Sequence, residues 1–219
     1  MGNHSSKQQP VVDVTLVPQT QAVVAPDGCI PAVFVTTKLR VERVNGDLKV
    51  FARDTGEMFF RYDNKSSKNY FKRFLVDAKD RPIVMLEKTI EIQKNFVIKA
   101  PEPPHQTLFK IHSSTFNFVV TMKLEFTDWR TNEKPTLDVE GDWRVRKAVM
   151  WLTRSSAVGQ RDPICTMAFR DGGYDVNMAS GVDVTVVALF CIILNETVND
   201  FSYTPPFSGA MMLDGALKQ

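Results

Sequence analysis

Cysteine is scarce in these 219 residues: Cys29, Cys165 and Cys191 are all there is. Their number is odd, no two stand at CxxC spacing, and they support neither a disulfide framework nor a zinc site. Such usage fits a reducing compartment. His105 follows two prolines and His112 falls in an apparent strand, so no metal-ligand spacing joins them. No GxSxG elbow, P-loop or dinucleotide fingerprint is present, which argues against an enzyme and leaves no catalytic residue, metal or cofactor to expect. The acidic, glycine-rich "DGGYDVNMASGVD" lacks the EF-hand pattern and its terminal glutamate. Charge of one sign is missing too. Lysine and arginine exceed aspartate and glutamate by only 2, too little for bulk nucleic-acid binding. No cleavable signal peptide is expected at the start, where residues 1–9 are polar and Asp13 and Pro18 break the first apolar patch. The sequons at Asn64 and Asn195 are accordingly expected to be silent.

What is abundant is core material. With 43% hydrophobic residues the chain can bury a sizeable interior, and an all-β barrel of this length commonly forms one domain. Residues 1–28 read as a flexible lead-in, because Pro10, Pro18 and Pro26 interrupt every apolar run and "QTQ" offers nothing to pack. Strand patterning then takes over. In "FNFVVTMKLEFT" one face collects Phe116, Phe118, Val120, Met122, Leu124 and Phe126, with polar residues on the other. "WRVRKAVMW" suggests a second such face from Trp143, Val145, Val149 and Trp151, interrupted by Lys147, whose aliphatic stem could lie on the apolar side. Turn signals recur at short intervals: "NGD" at 45–47, "DTGE" at 54–57, "DAKDRP" at 77–82, "EGD" at 140–142 and "RDGG" at 170–173. Strands punctuated this way form antiparallel hairpins that close into a barrel or sandwich.

Residues 180–200 break the β pattern. Ser180 and Asp183 read as a variant capping box, and from 184 to 194 every residue except Thr185 is apolar. A helix of this kind is apolar on all sides and needs protein or lipid around it. The uncharged stretch is far shorter than the roughly 20 residues that cross a bilayer, and no positive flank adjoins it. Enclosure is the remaining solution. A helix is about 10–12 Å across with its side chains, so a closed antiparallel barrel of many strands could hold it.

These strands and turns, the late "GVDVTVVALFCIILNE" and the central "FLVDAKDRPIVMLEKTI" together resemble the LURP-one-related family, a branch of the tubby C-terminal-like superfamily distantly related to phospholipid scramblases. The likeness extends over about 33–199 and is most specific at Gly181-Val182-Asp183. It implies a mainly β domain: a closed antiparallel barrel of about twelve strands around a central hydrophobic C-terminal helix. The domain would occupy 29–200, with the helix at 181–199 and a C-terminal tail at 201–219.

Two short features bear on membranes. Gly2 after the initiator methionine, with Ser6 four positions on and Lys7 beside it, fits the N-myristoylation pattern. One myristoyl chain binds membranes only marginally, so a second signal is expected, either palmitate on Cys29 or a head-group site on the barrel. Tubby domains carry a "KLR" triplet on one strand that binds phosphoinositide head groups, and "TKLRVERVNGDLKVFARD" is similar around Lys38-Leu39-Arg40. Residues i and i+2 of a strand share a face, so both cations could meet one phosphate cluster. Arg43, Lys65, Lys68, Lys72 and Arg73 are candidates to enlarge it. The expectation is a monomeric, non-enzymatic signalling or defence-type module on the cytosolic face of a membrane, the plasma membrane, meeting anionic lipid. The rivals are a scramblase-like lipid transporter and a protein-interaction or transcription-linked module.

Overall fold

The computed structural model describes residues 14–20, 37–62, 72–89, 94–116, 119–127, 132–142, 146–156, 159–170 and 173–202. Twelve strands follow one another: β1 (Thr37–Val44), β2 (Asp47–Ala52), β3 (Met58–Tyr62), β4 (Lys72–Asp77), β5 (Pro82–Lys88), β6 (Lys94–Lys99), β7 (Thr107–Phe116), β8 (Val119–Glu125), β9 (Thr136–Asp142), β10 (Lys147–Thr153), β11 (Arg161–Arg170) and β12 (Gly173–Met178). Each pairs antiparallel with the next, and β12 pairs with β1, so the sheet closes. The helix α1 (Val184–Ser202) comes last. This is the expected barrel with its helix.

The alternating pattern builds the wall. Val120, Met122 and Leu124 are buried on β8, while Thr121, Lys123 and Glu125 between them are exposed. Turn chemistry sets the register. Asn45 and Gly46, both at positive φ, make the two-residue connection between Val44 and Asp47 that a twisted hairpin favours. At the β4–β5 hairpin, the Asp77 carboxylate accepts the backbone N–H groups of Lys79 (2.8 Å) and Arg81 (2.9 Å). Asp80 there adopts φ 60°.

The helix fills the barrel. From 184 to 194 no side chain is more than 3% exposed, and Phe190, Ile192 and Leu194 are fully buried among inward residues of the wall. Its start differs from the expected capping box. Asp183 is itself the N-cap: its Oδ1 accepts the Thr185 N–H at 2.7 Å, and its carbonyl accepts that of Val187 at 3.3 Å. Ser180 instead gives its carbonyl to the Gln19 N–H.

Four further readings of the sequence change. The run 116–126 is not one strand, because β7 ends at Phe116 and β8 starts at Val119, the two pairing as neighbours. "EGD" at 140–142 is not a turn but the end of β9. There Gly141 sits opposite Ala148, and a Cβ on it would come within 3.1 Å of the Ala148 Cβ, so close packing and not turning explains the glycine. On β10 the inward row is Ala148, Met150 and Leu152, the opposite face from the one expected. Val149 and Trp151 look outward and are apolar for a local reason: Val149 shares the lining of an outer concavity with Val14, and the Arg161 guanidinium covers the Trp151 ring at 5.0 Å. Trp143, Val145 and Phe118 lie outside the described residues.

The fourth change concerns the lead-in. Residues 14–20 lie against the barrel, with the Val17 N–H donated to the Pro163 carbonyl (2.9 Å) and Gln19 only 6% exposed.

Candidate functional site

Leu39 is fully buried, so the alternation of β1 turns Lys38 and Arg40 outward, where both are exposed. The two proposed head-group cations therefore share one face. Arg40 is partly engaged there: its Nε lies 3.2 Å from a Glu42 carboxylate oxygen, and its guanidinium stands 5.3 Å over the Phe51 ring.

The neighbouring strands add residues that the sequence did not bring forward. On β12, Asn177 stands opposite Lys38 and Asp175 opposite Arg40. The nearly buried Asp175 carboxylate meets Arg53 at 3.7 Å and is in contact with the Arg170 guanidinium. Arg53, Arg170, Lys147 and Asp175, with Thr166 and Asn177, line a shallow concavity of about 400 Å³ on the outer wall of β10, β11 and β12. Val14 lines it too. Three strands and a turn thus bring together cations far apart in the chain, around one carboxylate that holds two of them in place. One signal for this was available: Lys147 interrupting an apolar row marks that row as the outer one.

The other cations do not all join. Arg73 turns into the opposite mouth of the barrel, bonds Glu196 of α1 at 2.6 Å and lies 5.6 Å over the Tyr62 ring. Burial strips Arg73 of hydration, yet Tyr62 and Glu196 hold its pKa above the usual arginine value, while burial raises that of Tyr62. This trio anchors the helix and presents no free cation to a ligand. Lys72 is exposed on β4, two strands beyond β2, and Arg43 is exposed at the far end of β1. Gly2, Cys29, Lys65 and Lys68 lie outside the described residues.

The remaining reactive side chains have structural surroundings. Cys165 and Cys191 are fully buried free thiols, with the Cys191 Sγ 4.0 Å from the Met167 Sδ. Burial pushes Cys191 up to about 12 and raises Cys165 as well, so both stay protonated core residues. The Nδ1 of His112 pairs with Asn95 (2.6 Å) and that of His105 with the Ala100 carbonyl (3.2 Å). Among the described residues no cluster of three His, Cys, Asp or Glu side chains could hold a metal ion.

A closed antiparallel barrel of twelve strands threaded by a hydrophobic C-terminal helix defines a tubby-like protein. The LURP-one-related family model matches residues 33–195, and the chain belongs to that family. An X-ray structure of a protein from Arabidopsis thaliana has the same fold: it superposes with a TM-score of 0.54 at 18% identity, covering 80% of this chain and 98% of that one. A search of curated protein sequences found no match.

Proposed function

We propose that the protein is a non-enzymatic tubby-like module held at the cytosolic face of a membrane by an acyl chain on Gly2. Electrostatic attraction between its basic outer wall and anionic lipid head groups steadies it there. The observation that carries this reading is the common outward face of Lys38 and Arg40 on β1, continued by Arg53, Arg170 and Lys147 around one concavity. The arginines can pair bidentately with phosphate and the lysines add point charge. One acyl chain binds only at about 10⁴ M⁻¹, and a basic wall is the kind of second signal that makes attachment stable.

Sedimentation with vesicles of phosphatidylcholine, with and without phosphoinositide, tests the reading. Unacylated protein should bind the phosphoinositide vesicles, and binding should fall as salt rises, since attraction is screened over about 10 Å at 0.1 M ionic strength. Replacing Lys38 and Arg40 together by Ala should weaken that binding and leave the melting temperature nearly unchanged. Replacing Lys110 and Lys123, exposed on the opposite wall, is the control. Equal binding by the Lys38/Arg40 double variant and wild type would sink the head-group assignment and favour a protein-interaction module. Lipid translocation between leaflets would instead favour the scramblase-like reading.

A further inference from the structure

Residues 14–19 form a strap that climbs the outer wall and crosses onto the rim of the barrel. Val14 lines the cationic concavity together with Lys147, Val149 and Thr166. Three residues on, the Val17 N–H is bonded to the Pro163 carbonyl, at the irregularity where β10 and β11 shift register. Gln19 then reaches the turn that leads into α1. Its N–H is donated to the Ser180 carbonyl (3.0 Å), its Oε1 accepts from Arg154 (3.1 Å), and its Nε2 is donated back to the Val17 carbonyl (2.9 Å).

The seat for this strap is specific. Gly181, at φ +83°, meets the Gln19 backbone so closely that a Cβ would lie 2.5 Å from the Gln19 carbonyl oxygen. A polar side chain is buried only where it is bonded, and Gln19 is both. The strap is thus held by the barrel through backbone bonds and one buried amide, and not merely laid on it.

The direction of the strap has a consequence for attachment. Its upstream end, Val14, is the end that leads to Gly2, and Val14 follows Gly2 by twelve positions. Twelve residues reach at most about 40 Å even when fully extended. Any group carried on Gly2 is therefore tied, within that reach, to the wall of β10–β12. That wall is also the basic one. On the wall made by β7, β8 and β9, Lys110 and Lys123 stand among Glu125, Asp138 and Glu140.

Resting on the acyl-tether reading, we infer that the strap 14–19 fixes which side of the barrel meets the membrane: it delivers the N-terminal tether onto the wall of β10–β12, so that acyl chain and basic concavity engage one anionic bilayer together. The strap is an orienting device between a lipid anchor and a lipid-facing surface.

Two measurements test this. The first needs no lipid: in the full-length protein, the amides of Val17 and Gln19 should exchange markedly more slowly than those of an unstructured chain, and in Val17→Pro/Gln19→Ala, where residue 17 has no amide proton left, the residue 19 amide should lose its protection without a lowered melting temperature of the barrel. Unprotected amides in wild type overturn the inference. The second is lysine acetylation footprinting of the acylated protein on phosphatidylcholine vesicles containing phosphatidylserine. Labelling of Lys38 and Lys147 should fall several-fold on vesicles while that of Lys110 and Lys123 holds. In the Val17→Pro/Gln19→Ala variant, vesicle attachment should persist and the difference between the walls should shrink. An even footprint in wild type, or the same asymmetry in the variant, overturns the inference. Failure of acylated wild type to sediment with vesicles at all removes the membrane reading instead, and the strap is then judged by its amides.

Discussion

Some single residues decide the fold through what they lack or hold. Gly173 begins β12 against β1, and a Cβ there would lie 1.8 Å from the Val41 carbonyl oxygen and 2.8 Å from its carbon. Backbone cannot yield as a side-chain tip can. Gly173→Ala is expected to destabilise the barrel by roughly 3 kcal/mol or more, read from urea unfolding, and a loss below about 0.5 kcal/mol would contradict so close an approach. Asp77 works through its charge. The backbone N–H of Arg81, then its side chain and the Lys79 N–H, bond to the carboxylate and hold its pKa below the usual value. A depressed carboxylate stabilises the fold at pH above its unfolded value, about 3.9, and that contribution is lost as pH falls through the lower, folded value. Asp77→Asn should therefore lower stability at neutral pH and make it less steeply dependent on acid below about pH 4. Parallel urea titrations of both proteins across that range check it, and identical acid profiles would count against the bonds.

At the level of elements, the helix was the most legible part of the sequence. An apolar run on all sides of a helix, too short for a bilayer, leaves enclosure as its physical solution, and the structure encloses it. Ala188→Asp or Phe190→Asp would bury an unpaired charge at a fully buried site and should cost several kcal/mol, enough to threaten folding. Amides of 184–194 should be among the slowest to exchange, and rapid exchange throughout would contradict a filled barrel. Hairpins with special turn residues were also legible, because Asn45-Gly46 and the Asp77 turn act within a few positions. Faces of strands were less so. On β10 period two fits two opposite assignments, and the strap and Arg161 that make the outer row apolar come from elsewhere in the chain. The concavity was invisible for the same reason. Arg53, Lys147 and Arg170 stand on separate elements, and only the pairing of β10, β11 and β12 and the closure of β12 onto β1 gather them into one concavity with Asp175, which stands opposite Arg40.

For the molecule as a whole, attachment is expected to depend on two weak terms acting together. Co-expressed with an N-myristoyltransferase, the chain should gain one acyl group at Gly2, seen by intact mass, and Gly2→Ala should lose both the added mass and most vesicle binding. An unmodified wild type would remove the tether. Asp175→Asn offers the converse change, since it takes away the carboxylate that neutralises Arg53 and Arg170 on the basic wall. Its binding to anionic vesicles should strengthen and depend more steeply on salt, and unchanged binding would place the lipid contact elsewhere. The order of the elements carries a last consequence. The piece that fills the centre of the barrel is α1, which follows all twelve described strands. During synthesis twelve strands emerge before their filling does, with apolar inner faces that have nothing yet to close upon. A chain cut short before residue 184 would have all twelve strands of its wall and no axis. Such fragments should aggregate and be degraded, so that only a chain translated through the helix survives as a folded protein.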